Sequence, residues 1–235
     1  MLLRRFAVVL VAFAPSASFA APSPQQIACE RVMNQAPPTV EVPLDRDVDG
    51  DTVRVMIKNK SVSVRFLGID TQETHFQGQS QGFWADKASA LMTHLIKNEK
   101  KVTLEFENAR CDRYGRILAY VRVGKRMLND LMLEQGLAVN YCIAPHLRYC
   151  GQFAKRVEKA AHDRDGMYAD PKMEIPYVWR RKISNKPMDK LVGSIRTFQV
   201  YPPKEYMRIP LWDRVFFMDA ADIKPPFQLA RQNQR

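Results

Sequence analysis

Acids stand at every second position in Asp45-Arg46-Asp47-Val48-Asp49-Gly50-Asp51-Thr52. Carboxylate oxygens in such a run are ligands of the kind a hard cation such as calcium takes. An EF-hand is excluded, because its loop needs a bidentate acid at the twelfth position, which is Met56 here. The residues after Gly50 also alternate like a strand instead of entering a helix. Alone, the segment reads as a polar Asp-Gly turn leading into a strand.

Two further segments carry chemistry. Arg65-Phe66-Leu67-Gly68-Ile69-Asp70-Thr71-Gln72-Glu73 places an arginine among apolar strand residues and two acids just beyond them. An arginine in a strand ordinarily faces solvent; its company with Asp70 and Glu73 makes Arg65 a site candidate. Asp112-Arg113-Tyr114-Gly115-Arg116 reads as a hairpin turn that exposes Arg116 at the start of a strand. Such a turn alone is ordinarily a surface feature. Together the residue types suit phosphate chemistry. Carboxylates hold a hard cation, a further carboxylate takes a proton from water, and guanidinium forks match phosphate oxygens.

The elements that must position these residues are short. Val53, Val55 and Ile57 alternate with polar or flexible neighbours, as do Val62, Val64 and Phe66, and Asn59-Lys60-Ser61 is the expected turn between them. Residues 83–97 change to helical spacing, with Trp84, Ala88, Leu91 and Leu95 on one face. Val102, Leu104 and Phe106 return to alternation, and residues 117–123 form another strand. Residues 127–135 and 153–165 read as helices stopped by Gly136 and Gly166. A first strand is expected near Val40. Short strands interrupted by one helix predict a β-barrel with helices, an α+β fold with helices packed outside a small closed barrel.

Residues 1–20 have the layout of a secretory signal peptide. Arg4 and Arg5 precede an apolar run from Phe6 to Phe13, and Ser18-Phe19-Ala20 places small residues before a cut at Ala21. The run is shorter than the roughly 20 residues a membrane span needs. The mature chain is expected to be secreted or periplasmic, without membrane attachment, and monomeric. Its four cysteines then favour two disulfides. Three pairings are open; Cys142–Cys150 closes a short loop, which leaves Cys29–Cys111. His146 lies between Cys142 and Cys150, but the paired spacing of a zinc site is absent.

Residues 21–39 read as a proline-containing linker. Residues 171–235 differ again, with eight of the chain's fifteen prolines, thirteen Lys/Arg against six acids, and many aromatics. Prolines at this density oppose long helices and central strands, whereas the aromatics oppose disorder. An irregular C-terminal extension is expected, either packed on the barrel or acting as a polyanion-binding arm. The formal net charge of +11 favours a polyanionic partner without identifying one.

In order, Asp-Gly-Asp-Thr, Arg-Phe-Leu-Gly-Ile-Asp-Thr-x-Glu and Asp-Arg-Tyr-Gly-Arg resemble the staphylococcal nuclease (thermonuclease) family. Residues 127–138 and 160–168 add matches to the helix after the last barrel strand and to the closing helix. The resemblance covers roughly residues 40–170. It implies a five-stranded OB-fold barrel with about three packed helices and a calcium-dependent site cutting DNA and/or RNA to 3′-phosphates. By the motifs, Asp51, Asp70 and the Thr71 carbonyl bind Ca2+, Glu73 is the general base, and Arg65 and Arg116 grip phosphate. Tyr114 and Tyr141 line the nucleotide pocket. Gln72 departs from the family, which usually has proline there, and is expected to loosen the aim of Glu73. The competing reading is an OB-fold module that binds nucleic acid without cutting it, which predicts loss of Glu73 or of a metal carboxylate; neither is lost.

Overall fold

The structure is a computed structural model that describes residues 21–230; the expected signal peptide lies outside the described residues. Where a linker is expected, helix α1 (Pro24–Met33) forms. Pro24 starts it, the Ser23 hydroxyl accepts from the Gln26 N–H at 3.0 Å, and the Cys29–Cys111 disulfide fastens it to the barrel.

Strands β1 (Thr39–Asp49), β2 (Thr52–Ile57) and β3 (Lys60–Phe66) follow as an antiparallel meander. Ile57 pairs with Lys60, so the turn is Lys58-Asn59, one residue earlier than the sequence pattern predicts. Both turn residues have positive φ, 47° and 61°, as a two-residue hairpin of right-handed twist requires. Strand β4 (Gly68–Thr71) leaves the barrel wall. Helix α2 (Phe83–Ile96) and strands β5 (Lys101–Glu105), β6 (Ile117–Val123) and β7 (Arg126–Met127) come next. The order β3-β2-β1-β5-β6 closes on itself through a parallel β3–β6 pairing, giving the five-stranded barrel expected from the sequence. Val53, Val55, Val64, Leu104 and Val121 fill its interior with no exposed surface. Burying each such side chain contributes about 1.5–3 kcal/mol.

Helix α3 (Leu128–Glu134), strand β8 (Ala138–Ile143) and helix α4 (Cys150–Asp163) follow. Within residues 40–170 the α-helices are therefore α2, α3 and α4. Buried Asn129 on α3 accepts from the Val121 N–H and donates to the Leu67 carbonyl, which locks α3 against the junction between β3 and β4. Gly68 sits at φ +76°, and a Cβ there would lie 2.7 Å from the Phe153 ring, so no larger residue lets β4 turn off the barrel here.

The extension is more regular than its prolines predict. Helix α5 (Pro176–Ile183) and strands β9 (Leu191–Ser194), β10 (Gln199–Tyr201), β11 (Arg214–Phe217) and β12 (Gln228–Leu229) occupy it. They build a second sheet in the order β12-β10-β9-β11-β8-β4. The strand that carries Asp70 is thus an edge of the sheet completed by the extension, and the extension packs on the barrel. Among the described residues no helix is long and apolar enough to cross a membrane.

Candidate active site

The site gathers where β2 begins, β3 ends and β4 runs antiparallel to β8. Gly50 permits the approach, because a Cβ on it would lie 2.8 Å from Ala88 Cβ and 2.9 Å from the Thr71 side chain. Asp51, 5% exposed, accepts from the Thr71 N–H at 2.8 Å and the Thr71 hydroxyl at 3.0 Å through one oxygen. Its other oxygen faces Arg65 Nη1 at 3.1 Å. Arg65 Nη2 donates to Asp70 Oδ1 at 2.8 Å, and Nη1 also donates to the carbonyls of Phe66 and Ile69. One guanidinium therefore joins the two candidate metal carboxylates and the strand between them.

Burial opposes the Arg65 charge, but Asp51 and Asp70 outweigh it and hold the guanidinium above its ordinary pKa. Burial, followed by repulsion from Asp51, pushes Asp49 up to about 7. Burial likewise raises Glu73, against the lowering influence of Arg180. The Glu73 side chain stays 22% exposed, open to water.

Arg180 is the member that sequence reading missed. Its Nη1 donates to Asp70 Oδ1 at 3.0 Å and Glu73 Oε1 at 2.6 Å, and its Nη2 donates to Asp70 Oδ2 at 2.8 Å. It comes from α5, which Tyr177 and Trp179 anchor by their buried rings. Tyr141 lies beneath it, with the guanidinium carbon 5.9 Å from the ring centroid, and packs on Phe216 and Tyr177. Burial raises the Tyr141 hydroxyl pKa well above its usual value.

Gln72, expected to loosen the aim of Glu73, is itself tied to the extension. Its amide donates to the Glu174 carbonyl at 3.2 Å, and Gln81 donates to the same carbonyl at 3.1 Å while accepting from the Glu73 N–H at 3.0 Å. The extension thus receives two side-chain ties from the loop that carries Glu73.

Arg116 and Tyr114 lie on the neighbouring turn, outside this network. Arg116 Nε donates to Asp112 Oδ2 at 2.7 Å, its guanidinium sits 5.7 Å from the Tyr114 ring, and its side chain is 37% exposed. Arg65 pairs with Leu118 across β3–β6, and alternation carried back from Leu118 puts Arg116 on the same face of the wall as Arg65. Tyr114 is 63% exposed. Both disulfides join the preferred cysteine pairs, Cys29–Cys111 and Cys142–Cys150.

The oxygen-only donors suit a hard cation. Among the described residues no three acids, imidazoles or thiolates converge into a cage. Two carboxylates and a backbone carbonyl leave the rest of a six- to eight-oxygen shell to water and substrate.

A family model described as staphylococcal nuclease homologue matches residues 63–170. The micrococcal nuclease of Shigella flexneri is 31% identical over 154 residues, which are 60% of this chain and 80% of that protein. The chain belongs to the staphylococcal nuclease family. Endonuclease YncB of Bacillus subtilis (strain 168) is 38% identical over 127 residues, 53% of this chain and 60% of the relative. The thermonuclease of Staphylococcus hyicus is 36% identical over 115 residues, 49% of this chain and 65% of the relative. The chain thus spans less than two thirds of these last two relatives. The family match includes Arg65, Asp70, Glu73 and Arg116; Asp51 precedes it and Arg180 lies beyond it.

Proposed function

We propose that this staphylococcal nuclease homologue is a calcium-dependent endonuclease that hydrolyses DNA and/or RNA with little sequence preference, in a secreted or periplasmic setting. The observation that carries the reading is the Arg65 bridge between Asp51 and Asp70, with Glu73 three residues further on and exposed to water. Two disulfides among the described cysteines support an oxidising compartment.

Asp51, Asp70 and the Thr71 carbonyl would hold the cation. When bound, it supplies Lewis-acid polarisation of a phosphoryl oxygen. Glu73 takes a proton from the attacking water. The water oxygen bonds to phosphorus as the bond to the 5′ oxygen breaks; that oxygen takes a proton from solvent, and a 3′-phosphate remains. Arg65 and Arg116 offset the charge that builds on the phosphoryl oxygens, and arginine stays protonated throughout. Contacts to phosphate and sugar do not read sequence, and an exposed ring such as Tyr114 stacks on any base. Single-stranded or frayed substrate fits such a surface best.

The reading is tested by incubating the protein with labelled single-stranded DNA and calcium and analysing the product ends. New 3′-phosphates are expected; 5′-phosphate products would contradict the assigned bond cleavage.

A further inference from the structure

We propose that Arg180 is an internal cation of this site, holding the carboxylate oxygens that a divalent metal needs, so that metal binding and release of Arg180 form one exchange. The inference rests on the reading of Asp51 and Asp70 as metal carboxylates.

Its basis is the occupancy of Asp70. That side chain has no exposed surface. Arg180 covers one oxygen at 2.8 Å and shares the other, at 3.0 Å, with Arg65. Arg180 also takes Glu73 Oε1. A calcium ion binds a carboxylate oxygen at roughly 2.3–2.6 Å. Seated on Asp70, it would lie within a few ångströms of the guanidinium, where two positive charges repel strongly in a partly desolvated site. Arginine does not relieve such repulsion by losing its proton. The side chain must therefore leave Asp70.

Arg180 is not a stray surface partner. Its side chain is only 18% exposed, although it comes from 110 residues beyond Asp70. Gln72 and Gln81 both bind the Glu174 carbonyl shortly before α5, which fastens the helix to the loop bearing Glu73. Without Arg180, Asp70 would retain Arg65 alone, and Glu73 would have no guanidinium partner among the described residues. The extension therefore supplies a counter-charge that lets the acids pack together without metal, and it makes the metal compete for them.

The test is a calorimetric titration of calcium, without nucleic acid, into the full chain, Arg180→Gln and Arg180→Lys, with circular dichroism to verify folding. Arg180→Gln is expected to bind calcium about tenfold tighter or more, because a like charge beside the ion is gone. Arg180→Lys keeps the charge but loses the two-pronged grip, and is expected to bind a few-fold tighter; it decides the matter should the glutamine variant fail to fold. Equal or weaker binding in the folded variants overturns the exchange while leaving the metal site standing. Absence of calcium binding in the full chain and in both variants overturns the metal site and the exchange together.

Discussion

Thr71 gives both its backbone N–H and its hydroxyl to a single oxygen of Asp51, twenty residues earlier in the chain. The pair clamps the start of β2 to the end of β4. With one Asp51 oxygen committed to Thr71 and the other turned to Arg65, the carboxylate has a fixed orientation. Preorganisation of this kind is what a site must have if charge is to be stabilised without rearrangement in the transition state. Asp70 shares this constraint, because Arg65 binds it as well.

Replacing Glu73 by Gln keeps an oxygen for Arg180 but removes the proposed proton acceptor. Hydrolysis is expected to fall by roughly 10²–10⁴ with the fold retained. Initial rates on single-stranded DNA, paired with thermal melts, check this; a rate within a few-fold of the parent refutes the base assignment.

Arg116→Ala removes a half-exposed guanidinium whose ion pair with Asp112 is of a kind that contributes at most about 1 kcal/mol to stability. Activity is nevertheless expected to drop by about 10²–10³. Unchanged kcat/KM alongside an unchanged denaturation midpoint would place Arg116 outside the chemistry.

The two disulfides are predicted to differ in worth. Cys29–Cys111 has a sequence separation of 82 and Cys142–Cys150 a separation of 8. Loop-closure entropy gives about 4.5 and about 2.5 kcal/mol respectively. Double serine variants compared by urea denaturation should therefore rank the first pair as the more costly loss. It is also the pair that ties α1 beside the Asp112–Arg116 turn, where Gly115 approaches Gln25.

His146 supplies a pH-dependent contribution. Burial lowers its pKa from the usual 6.5, only partly countered by Glu107, and its Nδ1 has no hydrogen-bond partner. The folded state holds the neutral ring, so its contribution is fully present above about pH 6.5, the unfolded value. It is lost as pH falls through the lower folded value. Denaturation midpoints between pH 7.5 and 5, buffer values chosen to span roughly that window, should decline less steeply in His146→Gln. Identical slopes would remove His146 as a cause.

The barrel was legible because Val53, Val55, Val62 and Val64 alternate, and alternation marks a wall with one buried face. Asp51, Asp70 and Glu73 were named for a different reason: their motifs, taken together and in order, resemble a known family, although alone the Asp51 segment reads as an ordinary polar turn. Strand β4 escaped notice because Gly68, Ile69, Asp70 and Thr71 are all buried, leaving no alternation to read. Strand β8 was missed likewise, since α4 and the extension cover Ala138, Val139 and Asn140. Helix α1 was hidden by its flanking prolines and held by a distant cysteine. Arg180 had no local signal at all; only the second sheet brings α5 over Asp70, and its bidentate grip has no periodicity in sequence. Arg116 was named by its motif, yet here it turns to Asp112 and does not join the acids.

The most direct measurement is hydrolysis of plasmid, single-stranded DNA and RNA by the full chain with calcium, with excess chelator, and with calcium restored. Cleavage of at least one nucleic acid that vanishes on chelation and returns with calcium is the predicted result. Cleavage that persists undiminished in chelator, or none of the three substrates cut at any calcium concentration, would contradict a cation-assisted site built on Asp51, Asp70 and Glu73.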